Sequence, residues 1–318
     1  MMEVWRGLGA VRSPFAESTV AIGVFDGIHL GHQELIAEAV KDARDSGRPS
    51  VVFTFDRHPA ELISPFHAPP CITPPQRREA LIGRLGADHL VVARFDDRFR
   101  SLSPEPFLRF VLVGVLGCRS VFVGPDFRFG RDHAGNTQYL VEAGSRLGFI
   151  THVIPPVLVD GERVSSTRIR ELIQEGSVER AATFLGRPYV LEGSVVAGDG
   201  LGRTLGFPTA NIQPCCRQVI PGDGVYAVWT LWHGERLRGA CSVGDRPTVG
   251  GLDRRIEVHL LDRTADLYGE RLEVEFVARL RGQQRFPRVE DLVAQMQKDV
   301  EAVRRILNGR SRTWEQGS

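Results

Sequence analysis

The chain has 318 residues, with 40 Lys+Arg against 39 Asp+Glu, a net charge of +1, and 42% hydrophobic and 25% charged residues. At about 150 residues per domain, this length predicts two domains. The composition is that of a globular protein, and the balanced charge argues against a nucleic-acid partner, whose binders carry a marked basic excess.

In chain order, the first residues hold Glu3, Arg6 and Arg12 and lack the apolar stretch of a secretory signal. Residues 19–25 read as a strand ending in Asp26-Gly27. Residues 32–47 have the spacing of a helix, with Leu35, Ile36, Ala39, Val40 and Ala43 on one face and Gly47 just past its end. Strands at 50–55, 89–95, 120–124 and 149–155 then alternate with helices at 74–86, 104–117 and 137–148. Apolar strands separated by helices predict an α/β parallel sheet covered on both faces, Rossmann-like, with ligands beyond the carboxyl ends of its strands. A helical pair at 167–175 and 177–185 follows, and a domain boundary is expected at 186/187, beside Arg187-Pro188.

Beyond the boundary the rhythm changes. Strands are expected at 189–198, 224–234, 235–244, 255–262 and 270–280, with Gly, Pro and Asp between them, which predicts a small antiparallel β-barrel. Residues 289–307 form one amphipathic helix, with Leu292, Met296, Val300, Val303 and Leu307 on the face expected to pack on the barrel. The domains are thus 1–186 and 187–308, with a polar, frayed tail at 309–318. No apolar run approaches the ~18 residues of a membrane helix. Five cysteines (Cys71, Cys118, Cys215, Cys216 and Cys241), odd in number and without CxxC spacing, read as reduced thiols of a cytoplasmic protein with no membrane partner.

Three stretches carry chemistry. Gly23–His32, GVFDGIHLGH, lies where a strand turns into a helix. Its glycines let backbone approach a ligand, the helix start offers N–H groups to a phosphate, and His29 and His32 can donate hydrogen bonds to a developing oxyanion. A turn with solvated histidines is the competing reading; the flanking strand and helix favour the grip. At 164–173, VSSTRIRELI, Ser165, Ser166 and Thr167 enter a helix carrying Arg168 and Arg170, either a second phosphate grip or a capped helix with solvated arginines. Together, these two stretches suit a nucleotidyltransferase that attacks the α-phosphate of ATP. At 198–211, GDGLGRTLGFPTAN, glycines can wrap phosphates, and Thr209 and Asn211 carry hard oxygen donors that suit Mg²⁺. A glycine-rich hairpin explains that stretch equally well. Glu257 and His259, two apart on a strand, share the face opposite Val258 and Leu260. Glu257 can serve as a general base, although an exposed strand glutamate is the ordinary reading.

These stretches, with TFDRHP, GPDFRFG, LGRPY, DGVYAVW, EVHLLD, DLYGERLEVEF and LVAQMQKDV, span nearly the whole chain and in this order resemble the bacterial bifunctional riboflavin kinase/FAD synthetase family. The resemblance implies an N-terminal FMN adenylyltransferase and a C-terminal riboflavin kinase barrel, with riboflavin, FMN and ATP as substrates and Mg²⁺ accompanying ATP. It implies that Gly23, Phe25, Asp26, Gly27, His29, Gly31 and His32 hold ATP in the adenylyltransferase, joined by Ser165, Ser166, Thr167 and Arg168, and that Asp126, Phe127 and Phe129 face the flavin. In the kinase it implies ATP at Gly198, Gly202, Arg203 and Gly206, metal and phosphate at Thr209 and Asn211, and Glu257 as base. The chain departs from the usual pattern at Val24 (often Asn), His133 and Asn136 (Arg and Asp), Leu201 (Arg), Ser242 (Asn), Gln283 (Glu) and Arg285 (Lys). A one-activity enzyme, its more altered kinase half having drifted, and a non-catalytic flavin or nucleotide sensor are the alternatives. Oligomeric state is not legible in the sequence.

Overall fold

A computed structural model describes residues 2–11, 14–198, 201–248, 251–263 and 265–310. Its contacts divide the chain into two compact units. One holds the residues up to Pro69 together with Pro75–Ser165, and the other holds Pro70–Pro74 with the residues from Ser166 on.

The first unit is built on a parallel sheet of β1 (Glu3–Arg6), β2 (Ser18–Ile22), β3 (Ser50–Phe55), β4 (His89–Ala93), β5 (Cys118–Val123) and β6 (Ile150–Val153). Their order is β1-β4-β3-β2-β5-β6. Side chains alternate between two buried layers: Val20, Ile22, Val51 and Phe53 enter one core, and Ala21, Val52, Leu90 and Val92 the other. A strand buried on both faces must be apolar throughout, which is why these segments read as runs. Helix α1 (Leu30–Ser46) buries the five predicted apolar residues and ends at Gly47 in the left-handed region, φ 67°. Helices α2 (Pro75–Arg84) and α3 (Thr137–Leu147) also stand where the periodicity predicts them. The helix expected at 104–117 begins at Pro104 and runs as a π-helix over Phe107–Val115.

The second unit begins with α4 (Ser166–Gln174) and α5 (Val178–Leu185). Strands β7 (Tyr189–Val196), β8 (Ala210–Pro214), β9 (Gly224–Trp232), β10 (Glu235–Thr248), β11 (Gly251–Leu260) and β12 (Arg271–Arg281) close in the order β7-β8-β11-β10-β9-β12. Every pairing is antiparallel. Helix α6 (Val289–Arg310) completes the unit. Strands β1 and β8 are additions to the expected set. β1 is a four-residue edge strand with charged ends, and β8 starts next to Pro208 and ends at Pro214, so both look like connections in the sequence.

The helical pair, expected ahead of the boundary with the sheet, joins the barrel. The Gly222 N–H donates to the Ile173 carbonyl at 2.9 Å, and the Arg279 N–H to Glu179 Oε1 at 2.9 Å. The apolar face of α6 does two jobs: Val303 and Leu307 are buried against the barrel, whereas Leu292, Met296 and Val300 line a cavity. The tail expected at 309–318 falls outside the described residues from 311 onward. Among the described residues, no helix is long and apolar enough to cross a membrane.

Candidate functional site

In the first unit the predicted strand 19–25 stops at Ile22, and residues 23–29 form a loop that delivers the chain to α1. Phe25, Gly27 and Ile28 all have positive φ (53°, 91° and 39°). For non-glycine residues this costs of order 1–3 kcal/mol each, unless the surroundings over-determine it. Here they do, because the Phe25 and Ile28 side chains are 1% exposed and packed with Leu35 and Ile36. Phe25 is therefore an anchor: its ring is in the core, and its part in any grip is to shape the backbone. Gly23 is required for the same reason, since a Cβ there would sit 2.9 Å from the Phe25 ring.

His29 caps α1, its Nδ1 accepting the His32 N–H at 3.3 Å, and the two imidazoles stack with centroids 3.6 Å apart. The edge of Phe25 meets the His32 ring at 5.3 Å. Gly31 lies 3.4 Å, measured from an added Cβ, under the His29 ring, and Asp26 is buried beside Gly27. Three residues outside the motif brace the loop. Thr54 Oγ1 and Arg78 Nη1 donate to the Val24 carbonyl at 3.1 and 3.2 Å, and Gln33 Nε2 donates to the Ile28 carbonyl at 2.8 Å. Arg78 also donates to the Phe55 carbonyl at 2.6 Å and is 6% exposed. Its one sequence signal is its position four residues before buried Ile82 on the inner face of α2.

The remaining expected residues of this half separate into roles. Asp126 is exposed and ion-paired with Arg163; Phe127 is half-buried and stacks on Phe129 at 5.5 Å, while Phe129 itself is core, beside Phe107 and Tyr139. Asn136 caps α3 by accepting the Tyr139 N–H at 2.8 Å, a task its amide oxygen performs as an aspartate would. His133 sits in a tight turn with φ 57°. Ser165 ends the first unit, and Ser166, Thr167 and Arg168 open α4 of the second. Arg168 pairs with Glu171 and Glu175 of its own helix at 3.2 and 3.5 Å. Arg170, expected either in the phosphate grip or solvated, is buried and donates to the Pro70 carbonyl at 2.8 Å.

In the barrel unit the expected residues converge. Asn211 on β8 and Glu257 on β11 are register partners, and Ser242 on β10 is the partner of Glu257 on its other side. Val258 and Leu260 are buried, which leaves Glu257 and His259 on the opposite face, as the alternation predicts. Thr209, Asn211, Ser242, Glu257 and His259 all line a cavity of about 250 Å³. Its other walls include Val225, Ala240, Phe286, Leu292, Met296 and Val300, apolar surface suited to a flat ring system. Arg255 stands 3.5 Å from the Glu257 carboxylate. Burial, and then the Glu257 carboxylate, pushes the Cys241 thiol up, leaving it an inert neighbour. A second cavity of about 400 Å³ is lined by Val195, Pro208, Arg263, Ala265, Asp266, Leu267 and Tyr268, and Thr209 lines both.

The glycine-rich stretch bends over this wall. A Cβ at Gly198 would lie 2.0 Å from Asn211 Nδ2, and one at Gly202 2.4 Å from the Phe207 carbonyl, so only glycine lets the stretch pack there. Gly206 has φ 84°. Asp199 and Gly200, and the side chains of Leu201 and Arg203, fall outside the described residues.

Residues 12–168 match the FAD synthetase family and residues 185–307 the riboflavin kinase family. The chain is 38% identical over 300 residues to the bifunctional riboflavin kinase/FMN adenylyltransferase of Escherichia coli K12, covering 94% of this chain and 96% of that one. It is 39% identical to the Pseudomonas fluorescens counterpart, covering 96% and 98%. The chain belongs to the bifunctional riboflavin kinase/FMN adenylyltransferase family. It is both enzymes in one polypeptide, making FMN and FAD. A crystal structure described as a macrolide-efflux protein from Streptococcus pneumoniae has the same architecture, with TM-score 0.86, 33% identity, and coverage of 95% of this chain and 99% of that one.

Two departures from the riboflavin kinase/FMN adenylyltransferase pattern prove to be neighbours. Gln283 Nε2 donates to Ser242 Oγ at 3.2 Å and to the Val243 carbonyl at 2.8 Å. An Asn/Glu pair would run from amide donor to carboxylate acceptor; here the amide stands on the opposite side and the charge is gone. Sequence reading also missed the floor of the cavity. Asp299, 6% exposed, receives Arg281 Nε at 3.1 Å and Nη2 at 2.7 Å, and Gln295 at 2.9 Å. A buried carboxylate held this way ties α6 to β12.

Proposed function

We propose that the barrel unit carries the kinase reaction, with Glu257 accepting the proton of the riboflavin 5′-hydroxyl and Thr209 and Asn211 holding MgATP. The observation that supports this is the register pairing of Asn211 with Glu257 on the cavity wall, next to a hydroxyl that borders both cavities. Among the described residues no cluster of three or more His, Cys, Asp or Glu side chains could hold a metal. Two neutral oxygens suit an ion that arrives with substrate phosphates, as Mg²⁺ does. When bound, Mg²⁺ neutralises phosphate charge. The protein's own work is to hold the phosphates through Gly198, Gly202, Arg203, Gly206, Thr209 and Asn211, to seat the flavin against Phe286, Met296 and Val300, and to take one proton at Glu257.

In the first unit we propose that the backbone of residues 23–31 and the stacked His29 and His32 hold the ATP triphosphate, with FMN near Asp126 and Phe127. The test is flavin chromatography after incubation with riboflavin and MgATP: FMN and FAD both accumulate in the parent. Glu257→Gln makes neither product from riboflavin but still makes FAD from supplied FMN; parental FMN formation from riboflavin, or loss of FAD synthesis from supplied FMN, defeats the assignment. We assign the kinase to the compact unit that runs from Ser166 on. A fragment of 166–318 is expected to phosphorylate riboflavin, and one of 187–318, lacking α4 and α5, to do so with a lower melting temperature.

A further inference from the structure

Three cysteines of the second unit lie outside both cavities. Cys71 belongs to the short segment Pro70–Pro74 that packs with the barrel, and Cys215 and Cys216 follow β8. The Sγ atoms of Cys71 and Cys216 are 3.2 Å apart, and both residues are half-buried. Their backbones are fixed in register. The Cys71 N–H donates to the Arg217 carbonyl and its carbonyl accepts the Val219 N–H, both at 2.9 Å. Buried Gln218 donates to the Ile72 carbonyl at 3.3 Å, and Arg170 to the Pro70 carbonyl at 2.8 Å. Bonds on both sides of the sulfur pair hold the two segments side by side; a disulfide needs the sulfurs to close to ~2.05 Å.

We propose that Cys71 and Cys216 are a reversible redox site, a dithiol that a small-molecule disulfide converts to an intrachain disulfide. One thiolate attacks the small disulfide RSSR, forming a protein–SR bond and releasing RS⁻. The other Cys, its proton passed to water, attacks the protein sulfur of that mixed disulfide, forming the Sγ–Sγ bond and releasing the second RS⁻. The protein loses two electrons and two protons, and RSSR leaves as two RSH. Cys215 is a poor competitor, since its thiol is pushed up to about 11 by partial burial of the sulfur and then by Cys216 beside it. Burial also pushes up the thiols of Cys118 and Cys241, which takes both out of contention. The product would pin segment 70–74 to the turn that follows β8, the strand that carries Asn211.

The test is to incubate the full chain with oxidised glutathione, alkylate the remaining thiols and map the peptides by mass spectrometry. The expected result is loss of two of the five thiols, one dominant Cys71–Cys216 cross-linked peptide, and full reversal by dithiothreitol. Cys215→Ser should leave the yield of cross-link unchanged. In Cys71→Ser, glutathione should remain as a stable adduct on Cys216. Glutathione persisting on Cys71 or Cys216 of the parent without a cross-link, or a cross-link through Cys215, overturns the proposal. Because the parent chain itself gives the deciding readout, misfolding of a variant cannot mask the answer.

Discussion

The two halves of this enzyme confront the same ligand, a polyphosphate, with different materials. The proposed grip at residues 23–29 is one of backbone, with three positive-φ residues pinned by buried Phe25 and Ile28 and by donors from Thr54, Arg78 and Gln33. The barrel offers side chains: Asn211 and Glu257, whose spacing is set by ladder register, and Thr209 just ahead of β8, with no strained residue among them. A backbone grip tolerates changes in side chains that point into the core only if they preserve its shape. A register-set wall loses one function per side chain. Substitutions should therefore act sharply and locally in the barrel, and through neighbours in the loop.

The largest expected effect is at Glu257. Glu257→Gln keeps the shape and removes the base, so FMN formation should fall by about 10²–10⁴ while FAD synthesis from FMN is unchanged. Parental kinase turnover would make that carboxylate structural. His32→Ala is the mirror experiment: one lost donor to a developing oxyanion costs roughly 10²–10³ in rate, so FAD formation falls and riboflavin phosphorylation persists. If both products fall together, the two halves are not chemically separate. Arg78 tests the indirect character of the loop. Arg78→Met deprives the Val24 and Phe55 carbonyls of a donor and should destabilise the first unit by about 1–3 kcal/mol. A rise in the ATP KM of adenylyl transfer, with kinase kinetics intact, would distinguish loop distortion from general unfolding. The smallest effect belongs to Ser242 and Gln283. A double-mutant cycle of Ser242→Ala and Gln283→Ala, read in kinase kcat/KM for riboflavin, should return a coupling of about 0.5 kcal/mol, as befits an exposed neutral hydrogen bond. Zero coupling would mean that the two departures act independently.

The sequence revealed the barrel wall more fully than the loop. Alternation at Val258 and Leu260 puts Glu257 on the face that lines the cavity, beside Thr209 and Asn211 of the PTAN run, so residue type and period suffice for the placement. What it hid was long-range. Arg78 and the Arg281–Asp299 pair look like solvated charges on helix and strand, because the carbonyls and the carboxylate that claim them are distant in the chain or on another element. The burial of Phe25 and Phe129 is equally invisible in a motif, because it is a property of the folded unit. β1 and β8 escaped because edge position and flanking prolines erase the apolar signal on which strand reading depends.

The closure of the barrel also imposes an order in time. Its seam joins the first strand, β7, to the last, β12, through pairs such as Tyr189 with Phe276. On a ribosome, no earlier moment allows that seam to form than the emergence of β12, whereas the parallel sheet is completed at β6, well upstream. The adenylyltransferase half is thus free to fold while the kinase half is still an open ribbon with two unpaired margins, and pairings this distant in sequence are intrinsically slow. The nascent chain spends the end of its synthesis with one enzyme able to assemble and the other waiting for its final strand.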